Sequence, residues 1–155
     1  MARFLIVEDD RITALALQRT VTCMGHAVVA CTSSASEAMA AVQAFRPDMV
    51  LLDIHLPGSH NGLLTGLDIQ TLWSTPVIYL SGSSPAQLDM PDFPEALWCY
   101  LSKPIDLARL CDILGSLFPS QHPYTLQELR EQLRQLRTEG VPVMALQEQV
   151  AENLR

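Results

Sequence analysis

Lysine is almost absent from this chain: of its ten basic residues nine are arginine, and Lys103 stands alone. Basic charge of any kind is scarce. Residues 1–119 carry 6 basic and 12 acidic side chains, and residues 120–155 carry 4 and 5, so the net charge of -7 falls mostly on the first part. Neither part offers a basic face, which argues against a nucleic-acid partner. No apolar run approaches the length of a membrane span, and the N-terminus enters a strand pattern directly without a signal-peptide pattern, so a cytoplasmic location and no membrane partner are expected. There is no Cys-x-x-Cys. The four cysteines, Cys23, Cys31, Cys99 and Cys111, are widely spaced among apolar residues, as expected of buried thiols and not of disulfides or zinc ligands. Internal repeats and low-complexity tracts are also missing.

What is present is a globular composition, 48% apolar and 17% charged, over 155 residues. That length suits one domain with a real core plus an appendage. The stretch Met49-Val50-Leu51-Leu52-Asp53 reads as a strand buried on both faces that ends at a carboxylate, followed by the Pro57-Gly58 turn. Asp53 either caps that turn or stands at a ligand-binding edge, since open α/β sheets bind ligands at the carboxyl ends of their strands.

The same grammar recurs along the chain. Arg3–Val7 is a short apolar strand ending in Glu8-Asp9-Asp10, with Asp9 or Asp10 as the cap of a helix that stops at Gly25. A second strand spans Ala27 to Cys31, and a helix runs from about Ser36 to Phe45. A helix from about Leu63 to Trp73 precedes the strand Val77–Leu80, which ends at Ser81-Gly82. Between Ser83 and Leu97 the prolines Pro91 and Pro94 stop any helix near Met90. Trp98–Leu101 forms a fifth strand ending at Ser102-Lys103-Pro104, and Asp106 caps a helix that reaches Leu117. Five strands alternating with helices predict a doubly wound parallel sheet with helices on both faces.

In such a sheet the strand ends converge, bringing together Glu8, Asp9, Asp53, Ser81 and Lys103. Three clustered carboxylates repel one another unless a cation neutralises them. A hard divalent ion with oxygen ligands fits, Mg²⁺ above all where a phosphoryl group also binds, and the sole lysine serves as a counter-ion. Taken alone, the acids after the first strand are equally explained as a favourable helix N-terminus.

Val7-Glu8-Asp9, Leu52-Asp53 with Pro57-Gly58, Asn61-Gly62, Leu80-Ser81-Gly82 and Lys103-Pro104, each closing a strand or opening the next helix, resemble in their order the receiver domain of two-component response regulators. The resemblance covers residues 3–117 and implies the flavodoxin-like strand order 2-1-3-4-5, with a receiver domain over residues 1–119 and a helical extension over residues 120–155. It implies Asp53 as acceptor of a phosphoryl group from a sensor histidine kinase or phosphotransfer protein. Glu8, Asp9, Asp53 and the main-chain carbonyl of His55 would hold Mg²⁺, and Lys103 and Ser81 would contact the phosphoryl oxygens. Tyr100 matches the aromatic switch position, and Lys103-Pro104 a peptide bond that is usually cis. Such a domain is a phosphoacceptor switch and not an enzyme with turnover. An aspartate-nucleophile phosphohydrolase would want a carboxylate where His55 stands. The other alternative is an unphosphorylated adaptor or dimerisation module, for which the lone lysine and clustered acids would be superfluous.

Several residues depart from the common receiver. Asn61 replaces an acid in a slightly long loop, and His55 and Ser83 stand at positions that influence the lifetime of the phosphoryl group. His55 and His60 share that loop, but no third ligand is suitably spaced for a transition metal. Beyond Pro119–Pro123, leucines at 126, 129, 133 and 136 form a heptad seam, and Val143, Leu146, Val150 and Leu154 a second one after Gly140 and Pro142. These seams pack back onto their own domain, or join two chains in a homodimer through residues 120–155, or connect to further parts of a longer signalling protein. Output is expected through protein contact.

Overall fold

In the computed structural model of the chain, residues 1–58, 61–83, 87 and 98–118 are described. The sequence expectations for His60, for the proline-punctuated stretch at Pro91 and Pro94, and for the extension over residues 120–155 lie outside the described residues.

Five strands, β1 (Arg3–Val7), β2 (Ala27–Thr32), β3 (Met49–Asp53), β4 (Val77–Ser81) and β5 (Trp98–Ser102), pair in parallel in the order β2-β1-β3-β4-β5. Four helices are interleaved: α1 (Arg11–Cys23), α2 (Ala35–Phe45), α3 (Gly62–Trp73) and α4 (Leu107–Leu117). This is the flavodoxin-like arrangement that the sequence implies. The two-residue period of a strand divides the core into two layers. Phe4, Ile6, Leu51, Ile78, Leu80 and Leu101 face one side, where they meet Leu17, Val21 and Met24 of α1 and Leu110, Cys111 and Leu114 of α4. Leu5, Val7, Val50, Leu52, Val77 and Tyr79 face the other, against Ala38 and Val42 of α2 and Leu63 and Ile69 of α3. Every residue of β3 and β4 is buried, which is why the apolar runs there are unbroken.

Each helix opens on a side-chain cap. Asp10 accepts the Thr13 amide at 2.7 Å, Ser34 that of Glu37 at 3.4 Å, Asn61 that of Leu64 at 2.9 Å, and Asp106 that of Ala108 at 3.0 Å. The cap of α1 is therefore Asp10, which leaves Asp9 for other work. The cysteines depart in part from expectation. All four are free thiols, but only Cys111 is buried. Cys23 and Cys99 are half-buried and Cys31 is exposed, because β2 is an edge strand with only one neighbour.

Where α3 crosses β4 the packing is tight. A Cβ built on Gly66 would stand 2.2 Å from the Tyr79 hydroxyl oxygen and 2.5 Å from a ring carbon, while that hydroxyl reaches the Leu63 carbonyl at 3.5 Å. Gly66→Ala is expected to destabilise the domain by about 1–3 kcal/mol through overpacking. Tyr79→Leu in the same chain should recover part of the loss, and both effects are readable as shifts of the urea midpoint. An unchanged midpoint in Gly66→Ala would mean that Tyr79 yields freely.

Candidate functional site

The carboxyl ends of β1, β3, β4 and β5 deliver the residues that the sequence singles out. Asp53 is the last residue of β3 and Ser81 the last of β4, while Glu8 follows β1 and Lys103 follows β5. Glu8 and Asp53 are almost wholly buried, 4% and 3% exposed, whereas Asp9 is open to solvent. The Lys103 ammonium lies 2.8 Å from Asp53 Oδ2 and 2.8 Å from Glu8 Oε2. Its main-chain amide donates to the Ser81 carbonyl at 2.7 Å, so the lysine is held to the end of β4 as well as by its charge. The Lys103-Pro104 peptide bond is cis.

The remaining carboxylate oxygens are met by main-chain donors: the His55 amide reaches Asp53 Oδ1 at 2.8 Å, and the Asp10 amide reaches Glu8 Oε1 at 3.1 Å. Thus His55 touches the site through its backbone, with its side chain exposed. Burial pushes the Glu8 carboxyl above its ordinary range; the contacts with Lys103 and the Asp10 amide oppose that rise, and the Asp53 charge adds to it. For Lys103, burial alone would lower the ammonium, but hydrogen bonding and Coulomb attraction to Asp53 and Glu8 outweigh it and hold the pKa above the usual lysine value.

One ammonium against three carboxylates leaves a local excess of negative charge. The ligand oxygens of Glu8, Asp9 and Asp53 all lie within 4.8 Å of one another, and Glu8 Oε2 is buried with no hydrogen bond, its contact with Lys103 being an ion pair. An all-oxygen donor set of this kind fits a hard divalent cation such as Mg²⁺.

Two residues of the site had a role that sequence reasoning did not find. A Cβ on Gly62 would lie 2.0 Å from the Asp53 carbonyl oxygen, so only glycine lets α3 begin directly against the end of β3. Its amide donates to the Ile54 carbonyl at 2.8 Å and closes the loop that follows Asp53. Asn61, noted only as the replacement of an acid, is the cap of that helix. The Asn-Gly pair before a helical pattern was the available signal.

Ser81 is fully buried, and its Oγ accepts the Ser83 amide at 3.1 Å. Tyr100 lies beside it on the same side of the sheet: its hydroxyl donates to the Ser81 carbonyl at 3.3 Å and also contacts the Ser83 carbonyl. The half-buried ring of Tyr100 thus ties β5 to the segment leaving β4.

Comparison with known proteins places this geometry. The sequence model of the family described as the response regulator receiver domain matches residues 4–115. The response regulator protein FleR of Pseudomonas aeruginosa is 30% identical over 143 residues, 87% of this chain and 30% of FleR. The sensory/regulatory protein RpfC of Xanthomonas campestris is 29% identical over 120 residues, 74% of this chain and 16% of RpfC. The chain thus spans less than a third of the length of either relative. Among solved structures, the response regulator REC domain of PhyR from Erythrobacter litoralis superposes with a TM-score of 0.66 at 26% identity, covering 80% of this chain and 95% of that domain.

The site carries its own test. Lys103→Met removes the charge and keeps the stem, leaving Glu8 and Asp53 buried without a counter-ion. In the presence of chelator this variant is expected to lose about 2 kcal/mol of stability, less than a fully buried pair would lose because the lysine is partly solvated. Millimolar Mg²⁺ should return most of the loss in a thermal unfolding scan. A variant as stable as the parent in chelator would show that the ion pair contributes nothing.

Proposed function

Since the chain belongs to the response regulator receiver domain family, we propose that Asp53 accepts a phosphoryl group from a phosphohistidine on a sensor kinase or phosphotransfer protein. The observation that carries this reading is the Lys103 ammonium 2.8 Å from both Asp53 and Glu8 at a buried sheet end, with Asp9 alongside. A carboxylate oxygen of Asp53 attacks phosphorus, the P–N bond breaks, and its electron pair leaves with the imidazole. The product is an acyl phosphate. Phosphoryl transfer depends chiefly on positioning and charge neutralisation, and the residues around Asp53 offer both.

Glu8, Asp9 and Asp53, with the main-chain carbonyl of His55, would hold Mg²⁺, which when bound offsets negative charge on the phosphoryl oxygens. Lys103 pairs with one phosphoryl oxygen. Ser81 donates its hydroxyl to another, giving up the contact of its Oγ with the Ser83 amide. Tyr100, tied to the carbonyls of Ser81 and Ser83, follows that movement. A local charge event is thereby read on the outer side of β5. The phosphoryl group selects a conformation the domain already visits.

In this reading residues 1–119 form the switch and residues 120–155 a helical extension. The output is contact with another protein in the cytoplasm, not binding to nucleic acid, and chemistry is limited to self-catalysed phosphorylation and dephosphorylation.

Incubation with acetyl phosphate, with and without Mg²⁺, tests the reading by intact mass. The parent chain is expected to gain one phosphoryl group only when Mg²⁺ is present, and Asp53→Ala none. Ser81→Ala should still be labelled, more slowly, because its hydroxyl joins only once the group arrives. No gain in the parent under any condition would remove the phosphoacceptor role and leave an adaptor.

A further inference from the structure

The helix α4 carries two faces. Leu110, Cys111 and Leu114 point into the core, and a second stripe at helical spacing, Arg109, Asp112, Ile113, Ser116 and Leu117, borders an open groove of about 640 Å³. The groove lies at the amino-terminal ends of β3, β4 and β5, the end of the sheet away from Asp53. Its floor is apolar, with Met49, Val77 and Cys99 among its lining, and Asp48 joins the charged groups of α4 at the rim. Leu117 on its wall is 51% exposed, an unusual state for a leucine on a helix packed against a sheet.

We infer that residues 124–137 of the same chain seat their leucine seam in this groove, as a helix antiparallel to α4. The groove wall includes Leu117 and Phe118, so the chain passes into residues 119–155 from the wall itself. Residues 119–123, bounded by Pro119 and Pro123, give a connection of a length ordinary for antiparallel helix pairs, about 2–8 residues. A helix over residues 125–137 would extend about 20 Å, sufficient to lie along the whole of α4. Leu126, Leu129, Leu133 and Leu136 recur at the spacing by which a helix inserts one face into an apolar groove. The charges match as well: Arg130, Arg134 and Arg137 flank the seam, while Asp48 and Asp112 stand on the rim. A second copy could offer the same seam, but the short tether gives the chain's own segment the higher effective concentration. The inference is independent of whether Asp53 is phosphorylated.

The native cysteines supply the probe. Cys99 lines the groove and is half-buried, and Cys31 on the opposite edge strand is exposed and serves as internal standard. In the full chain, alkylation by iodoacetamide, followed peptide by peptide in the mass spectrometer, is expected to be slow at Cys99 relative to Cys31. Leu129→Glu with Leu133→Glu should raise the ratio of the two rates by about tenfold or more, since two seated leucines are lost. The milder pair Leu129→Ala with Leu133→Ala should raise it less, with buried Cys111 unreactive throughout. An unchanged ratio in both variants would overturn the inference. So would a rise of Cys99 and Cys111 together in both, which is unfolding and not uncovering, or a ratio in the parent chain that climbs on dilution, which would make the occupant a second copy.

Discussion

The ammonium of Lys103 is the one cation that reconciles two buried carboxylates at the end of this sheet. Glu8 and Asp53 come from different strands, β1 and β3, and are brought together only because those strands pair in register, Val7 with Leu52. Burying both without compensation would cost several kcal/mol per ion after relaxation, a large part of a small domain's stability. Lysine meets that demand from β5, two strands away, at 2.8 Å to each acid. Arginine, the chain's habitual basic residue, would present a planar fork where a single compact charge must sit between two oxygens.

That arrangement stabilises the domain and primes it at once. The pair of acids and the exposed Asp9 carry more negative charge than one lysine can offset, so the site keeps an affinity for a further cation. The lysine in turn is held by its amide to the Ser81 carbonyl, the carbonyl that also accepts the Tyr100 hydroxyl. A change of charge on Asp53 therefore acts on a lysine, a serine and a tyrosine that share one stretch of backbone at the end of β4. The coupling is physical contiguity and needs no longer path.

Much of this was legible in the sequence because each strand announces its end with a polar residue. The five strands, the four helices of the described residues and the strand order all match the reading of the chain, and Glu8, Asp9, Asp53 and Lys103 converge where the topology requires. What was not legible concerns distances across space. Gly62 looked like part of a turn, yet its meaning lies in the 2.0 Å that a Cβ would leave to the Asp53 carbonyl oxygen. Cys31 had apolar neighbours in sequence, but burial is decided by sheet order, and an edge strand leaves it exposed. The second stripe of α4 was hidden for a different reason: Arg109, Asp112 and Ser116 interrupt the apolar pattern, so the helix reads as singly amphipathic until the groove beside it is seen.

Strand β5 joins the two ends of the molecule. Its residues alternate sides: Tyr100 packs toward the layer of α2 and α3 and reaches the end of β4, whereas Cys99 packs toward α4 and lines the groove. Pairing with β4 through five residues, Val77 with Trp98 to Ser81 with Ser102, makes β5 move with β4, while its outer edge has no neighbouring strand in the sheet. An edge strand is the part of a parallel sheet that can shift at least cost, because only one ladder must follow it. A segment seated between α4 and β5 would thus bear on the same strand that carries Tyr100. The C-terminal segment would then sense the state of Asp53 through a displacement of β5, without touching the phosphoryl site at all.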